Sequence, residues 1–303
     1  MLVEDGEIVE ARVELGGQVR TGAVIAAKLT CIGANGRNAV ARAAGGAEYL
    51  LPRGAQGVTE GALLNIEVTR EAIPGSEPWK RPLARVTAEE LRTAPPLAGR
   101  ELSFPAPHDE LAQVGWNDLL EEARSGIVRF AGGELRVSPT PAMTLIDVDG
   151  DLPAEELAVA GAREAARTIR RLEVGGSIGV DLPTVGSKAA RLRAAAAIDA
   201  MLPQPFERTA VNGFGFVQLV RPRARASLLE LAQDAAGFEA RVLLRRAAFE
   251  RPGGKRLVAH PAVVKALEGH DGWVDALARQ IGGAVELRSD PTLPMSAGYA
   301  EIL

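Results

Sequence analysis

Two aspartates, Asp147 in PAMTLIDVDGD and Asp181 in GGSIGVDLP, each close an apolar run of strand-like composition. Carboxylates delivered by neighbouring strand ends can share one hard divalent cation. Mg²⁺ takes oxygen ligands, keeps several waters and is commonly held by one or two carboxylates plus a phosphate oxygen. A cation held in this way polarises a phosphoryl group, activates a water and offsets charge on a leaving oxygen. Between the two acids lies a helix-sized segment carrying Arg163, Arg167, Arg170 and Arg171. An acidic pair for metal beside a basic surface for phosphate points to phosphodiester hydrolysis.

The elements that must position these residues alternate. A strand over 143–148 leads to a helix over 154–172, a strand over 177–181 to a helix over 187–201, and a strand over 214–220 closes the set. In the first helix Val159, Ala162, Ala166 and Ile169 fall at helical spacing, which leaves the arginines on other faces. Glu155 and Glu156 suit its positive N-terminal end. Strands alternating with helices predict an α/β layer with its functional groups at the carboxyl ends of the strands. A helix over 116–125 and a strand pair over 126–137, turning at Gly132-Gly133, precede this layer.

The first 70 residues read as short strands. Val9, Ala11, Val13 and Leu15 alternate with Glu10, Arg12 and Glu14, and Leu64, Ile66 and Val68 with Asn65, Glu67 and Thr69. Gly16-Gly17, Asn35-Gly36, Gly45-Gly46 and Pro52-Arg53-Gly54 supply turns between strands, and a small β-barrel closes such a set. Residues 74–107, rich in Pro and charge, read as a linker. A last α/β piece follows from 228, with helices over 261–267 and 273–281 and a strand over 284–288.

Length and composition bound the reading. A chain of 303 residues suggests roughly two domains. Aromatics make up 4% of it, so its core is aliphatic. The net charge of −4 argues against a nucleic-acid binder, but the charge is uneven: residues 163–225 hold eleven Lys/Arg against five acids. Polyanion binding follows such local basic faces. A single cysteine, Cys31, excludes an internal disulfide and any multi-cysteine zinc site. No apolar run approaches the roughly 20 residues that span a bilayer, so a cytoplasmic location is expected. Histidines 108, 260 and 270 are scattered and read as surface or capping residues, which leaves general-base work to metal-bound water.

The string LIDVDGDL has three readings: an Asp-Gly turn after a strand, the DxDGT motif of a haloacid dehalogenase-type phosphatase, or half of a two-strand metal site completed by Asp181. In the phosphatase reading Asp151 replaces the threonine, and no later strand carries paired acids. A calcium loop starting at Asp147 fails because Leu152 stands where glycine is required.

PTPAMTLIDVDG, RTIRRLEVGGSIGVDLP and GFGFVQLVRPRARASL, in this order, resemble the catalytic region of the ribonuclease E/G family. LVAHPAVVKAL through AVELRSDPTLP is similar to the small terminal domain of its short members, and YLLPRGAQGVTEGALLNIEVTREA to its inserted S1 barrel. The resemblance implies a mixed α+β and α/β architecture. An S1/OB-like barrel (19–86) sits within a reduced RNase H-like subdomain (1–18 and 87–125), followed by a DNase I-like catalytic subdomain (126–227) and a small C-terminal α/β domain (228–303). It implies Asp147 and Asp181 as ligands of Mg²⁺, with Asp149, where the family usually has Asn, as their partner. It also implies that Arg221, Arg223, Arg225, Arg167 and Arg170 contact RNA. Tyr49 and Trp79 are the aromatics available to the barrel for base stacking. The family's CPxC zinc link is absent from LLELAQDAAGFE, so no structural zinc is expected and any self-association is not zinc-linked. The 5′-monophosphate pocket has no counterpart. The expectation is a Mg²⁺-dependent endoribonuclease acting on single-stranded RNA by metal-activated water, with a catalytically inactive RNA-binding relative as the alternative.

Overall fold

The computed structural model describes all residues except 74–79, 97, 103–105, 107 and 271, so Trp79 lies outside the described residues. The fold is mixed α+β, in two compact units: residues 1–98 with 118–230, and 99–117 with 231–303.

The chain opens with a hairpin of β1 (Leu2–Glu4) and β2 (Glu7–Glu10). The alternation over 9–15 does not extend the strand. Beyond Glu10 the backbone turns to the end of a helix, where Ala11 N–H donates to the Arg171 carbonyl at 3.0 Å and Ala11 is fully buried. A closed barrel follows, built from β3 (Val24–Cys31), β4 (Ala39–Ala43), β5 (Glu48–Leu51), β6 (Leu63–Arg70) and β7 (Leu83–Thr87), in the order β3-β4-β5-β7-β6. Strand β7 falls inside the stretch read as linker. Its sequence LARVT alternates weakly, but it seats Ala84 inside the barrel and pairs Arg85 with Glu67 of β6 outside. Alanine, leucine, isoleucine and valine fill the interior together with Tyr49, which is 3% exposed. Tyr49 is therefore a core residue and offers no face to a base.

Two short helices, α1 (Glu110–Gln113) and α2 (Trp116–Ser125), lead to the central sheet. It contains β8 (Ile127–Phe130), β9 (Gly133–Pro139), β10 (Thr144–Gly150), β11 (Gly176–Asp181), β12 (Glu207–Arg208) and β13 (Phe216–Arg221), in the order β12-β13-β11-β10-β9-β8. Only β10 and β11 are parallel, and α3 (Ala154–Arg171) connects them. Parallel neighbours need such a crossover. Helix α4 (Lys188–Met201), N-capped by Ser187, lies beside α3. Val128, Leu135, Val137, Ile146, Val148, Ile178, Val180, Val217 and Leu219 form the buried side of the sheet, and the alternate residues form an open side.

Helices α5 (Leu228–Ala232) and α6 (Ala235–Phe249) follow. The C-terminal unit is completed by β14 (Lys255–Ala259), α7 (Pro261–Glu268), α8 (Trp273–Ile281), β15 (Val285–Ser289) and β16 (Tyr299–Ile302), with β14 parallel to β15 and antiparallel to β16. Its core gathers Leu243, Leu257, Val263, Leu267, Leu277 and Ile281. His260 caps α7 by accepting from Ala262 N–H, and His270 stacks on Trp273 at 3.9 Å, in line with the capping and surface roles expected of them. Among the described residues no helix is long and apolar enough to cross a membrane.

Helix α3 sits hard against the buried side of the sheet. A Cβ at Gly161 would lie 2.3 Å from Cγ1 of Val148, a 5% exposed, β-branched side chain with nowhere to retreat. Helix propensity favours Gly→Ala by about 1 kcal/mol, whereas overpacking a core costs about 1–3 kcal/mol. Gly161→Ala is expected to lower stability in urea denaturation, and a gain would show that α3 moves freely. Glu164 of the same helix faces Arg167 and Arg171. Burial pushes its carboxyl up, opposed by Arg171 and Arg167 and reinforced by Glu7. A carboxyl raised in the folded state favours folding most below its unfolded value, and that contribution is lost as pH rises through the folded value. The urea midpoint of Glu164→Gln is therefore expected to gain on the wild type between pH 4 and pH 7; a constant difference would contradict this.

Candidate active site

Asp147 and Asp181 are register partners on the only parallel strand pair of the central sheet. Ile146 pairs with Val180 one step earlier, and both are buried, so both aspartates project from the open face, where each is exposed. Neighbouring strands lie about 4.8 Å apart. That spacing suits two carboxylates sharing one ion through bonds of about 2.0–2.1 Å. Ladder pairing of β10 with β11 stops at this residue pair, while β10 runs on against β9 to Gly150. Asp147 thus stands at a notch in the sheet, where the chain after Asp181 leaves its neighbour.

Asp149 lies two residues along β10, exposed on the same face and opposite Glu134 of β9. Residues 147–150 all have ladder partners, so LIDVDGD is strand throughout its first half and no loop wraps around a ligand there. Arg136 pairs in register with Asp147, and its guanidinium donates to Glu134 at 2.7 Å. Among the described residues no three His, Cys, Asp or Glu side chains gather as a metal cluster. Two exposed carboxylates at neighbouring strand positions are a donor set of the kind Mg²⁺ takes together with water and phosphate oxygens.

On the other flank, Phe216 of β13 is the register partner of Asp181. Its ring lies over Gly179, where a Cβ would come within 2.6 Å of Cζ, and Leu145 closes in from β10 at 3.0 Å from the same point. The turn before β13 is bolted to the segment after Asp181. Leu182 N–H donates to the Gly215 carbonyl at 3.3 Å, and the Thr184 hydroxyl donates to the Phe214 carbonyl at 3.0 Å. Gly215 has φ +94, and a Cβ there would strike the Leu182 carbonyl oxygen at 2.1 Å, so only glycine permits this approach.

The arginines expected to read phosphate are placed differently. Helix α3 covers the Ile146/Val148 side of the sheet, so Arg167 and Arg170 lie on the side opposite the aspartates. Arg167 pairs with Glu7, and Arg170 pairs with Glu10 at 2.9 Å and Glu4 at 3.3 Å, which pins the N-terminal hairpin to the helix. Arg221 donates to the Val174 carbonyl at 3.2 Å, and burial holds its guanidinium below the ordinary arginine range, with Glu173 the first opposing influence. Arg223 pairs with Glu230, and Arg225 with Glu173 at 3.1 Å and Glu71 at 3.5 Å. All five act as internal ties, and the basic surface expected beside the metal is not formed by them. Sequence reasoning missed Arg136, Phe214 and Phe216. Polar-apolar alternation in GELRVSP carries a signal for the first, and the two aromatics of GFGF carry one for the others.

Comparison of the chain with protein-family models and with curated proteins yields no match.

Proposed function

We propose that this chain is a divalent-metal-dependent endoribonuclease that cleaves single-stranded RNA in the cytoplasm, a short relative of the ribonuclease E/G family. One observation carries the reading: the register pairing of Asp147 with Asp181 on a solvent-open sheet face. On this reading the sheet and its two helices are the DNase I-like catalytic subdomain, and the closed barrel is the S1-type module within a reduced RNase H-like frame.

Asp147 and Asp181 would hold Mg²⁺, whose charge when bound polarises the phosphodiester and favours ionisation of water. The chain's own contributions follow from placement. The two aspartates neutralise and orient the cation at the notch beside β11. Asp149, on the same face, offers an acceptor for a proton from water, and Glu134 opposite it raises the local negative charge. Arg136 balances that charge next to Asp147.

A second reading, an RNA-binding relative that does not cleave, is supported by Asp149 standing where the family usually has Asn and by the absent zinc link and 5′-monophosphate pocket. A phosphatase of the haloacid dehalogenase type is less well supported, because its motif coincides with a paired strand.

With a fluorogenic single-stranded RNA, cleavage is expected in Mg²⁺ or Mn²⁺, to stop with EDTA and to return when metal is restored. Small phosphate esters are expected to remain intact. Asp181→Asn and Asp147→Asn are each expected to lower the rate by roughly a hundredfold or more, the scale on which one electrostatic stabiliser acts, while RNA binding persists. Full activity in the double variant, isolated free of contaminating nuclease, would sink the proposal.

A further inference from the structure

The open face of the central sheet carries a row that crosses four strands in register: Arg136 of β9, Asp147 of β10, Asp181 of β11 and Phe216 of β13. At about 4.8 Å per strand this row runs for roughly 15 Å. It presents an arginine bonded to Glu134, then two carboxylates, then an aromatic. Beyond Phe216, Phe214 stands 81% exposed at the tip of the turn. That exposure forgoes about 1.5–3 kcal/mol of burial free energy, and the turn is built to maintain it. The Asn212 side-chain oxygen accepts from Phe214 N–H at 2.9 Å and Phe216 N–H at 3.0 Å, Asn212 N–H donates to the Phe216 carbonyl at 3.0 Å, and the Thr184 and Leu182 bonds tie the tip to the chain leaving Asp181. Leu145, 40% exposed, extends the apolar ground between Phe216 and Asp147.

We infer that Phe214, two residues before Phe216 in the chain, is a stacking platform for the nucleobase next to the scissile phosphate, and that single-stranded RNA crosses the sheet along this row with its neighbouring phosphate on the Arg136 side. The inference rests on the nuclease reading of the aspartate pair and adds to it a strand path. The occupant follows from charge and shape. Asp147, Asp149, Asp181 and Glu134 repel a bare polyanion, so the ligand must approach with a neutral flat face on one flank and, on the other, meet the N–H groups of Arg136 that its bond to Glu134 leaves over. A nucleobase flanked by phosphates has that character. Base-aromatic stacking tolerates any sequence and is lost on substitution by alanine. Phe214 takes the stacking role that the buried Tyr49 cannot fill.

The test uses the full chain with Mg²⁺ and a short oligouridylate of hydrolysis-resistant linkages bearing one 2-aminopurine. Fluorescence reports stacking and the anisotropy of an end label reports binding. On the wild type the 2-aminopurine signal is expected to fall. Phe214→Ala is expected to bind roughly tenfold more weakly and to leave the fluorescence unchanged at saturation, and Phe214→Trp is expected to restore both. Arg136→Gln is expected to keep the fluorescence change while flattening the salt dependence of log K by about 0.7, the loss of one phosphate contact on a single strand. Wild-type affinity and quenching in Phe214→Ala would overturn the inference while metal-dependent cleavage keeps the nuclease reading standing. A chain that neither binds nor cleaves RNA would overturn both.

Discussion

The parallel register of β10 against β11 is the constraint on which the rest depends. Side chains alternate with a period of two, so a slip of one residue would turn Asp181 toward the buried face and expose Val180. Ile146, Val148, Ile178 and Val180 hold the register because each is almost fully buried. Burial of one such side chain contributes about 1.5–3 kcal/mol. Repulsion between two exposed carboxylates at adjacent strand positions is about 1 kcal/mol in water. The core therefore outweighs the electrostatic objection to placing two acids side by side, and the resulting local negative potential is what a cation can relieve.

The arginines show how a linear charge count misleads. Residues 163–225 are strongly basic along the chain, yet in space their partners come from elsewhere: Glu4, Glu7 and Glu10 of the first hairpin, Glu71 at the end of the barrel's β6, and Glu173 and Glu230 nearby. Arginine suits this role because its planar fork keeps its charge and reaches several acceptors at once. Barrel, hairpin and sheet are stitched around α3 and the end of β13. The aspartate face keeps Arg136, bonded to Glu134, on one flank and an aromatic on the other.

The tip of the turn before β13 illustrates a related balance. A phenylalanine that is 81% exposed runs against the hydrophobic effect, and isolated cases need no explanation. Here the exposed ring belongs to a turn fixed by an asparagine side chain and by two bonds to the segment after Asp181. Backbone order has been invested in a group that gains nothing from the folded chain itself, on a turn tied to the segment after Asp181.

The βαβ core was legible in the sequence because its evidence is local. Apolar runs ending in Asp147 and Asp181 and the helical spacing of Ala162, Ala166 and Ile169 fall within a residue or two of the observed elements. A small barrel was legible from the alternation over 64–69, which is β6, and from turn residues; β3, β4 and β5 were not placed one by one, and β7 owes its identity as a strand to pairing with β6 and β5. Composition alone established an aliphatic core and a single cysteine. Tertiary structure decided which partner each charge takes, that Tyr49 points inward, that residues 11–15 leave the hairpin, and that Arg136 and Phe216 flank the aspartates. Those facts depend on contacts between residues tens to hundreds of positions apart, and no window of neighbouring residues holds the geometry that creates them.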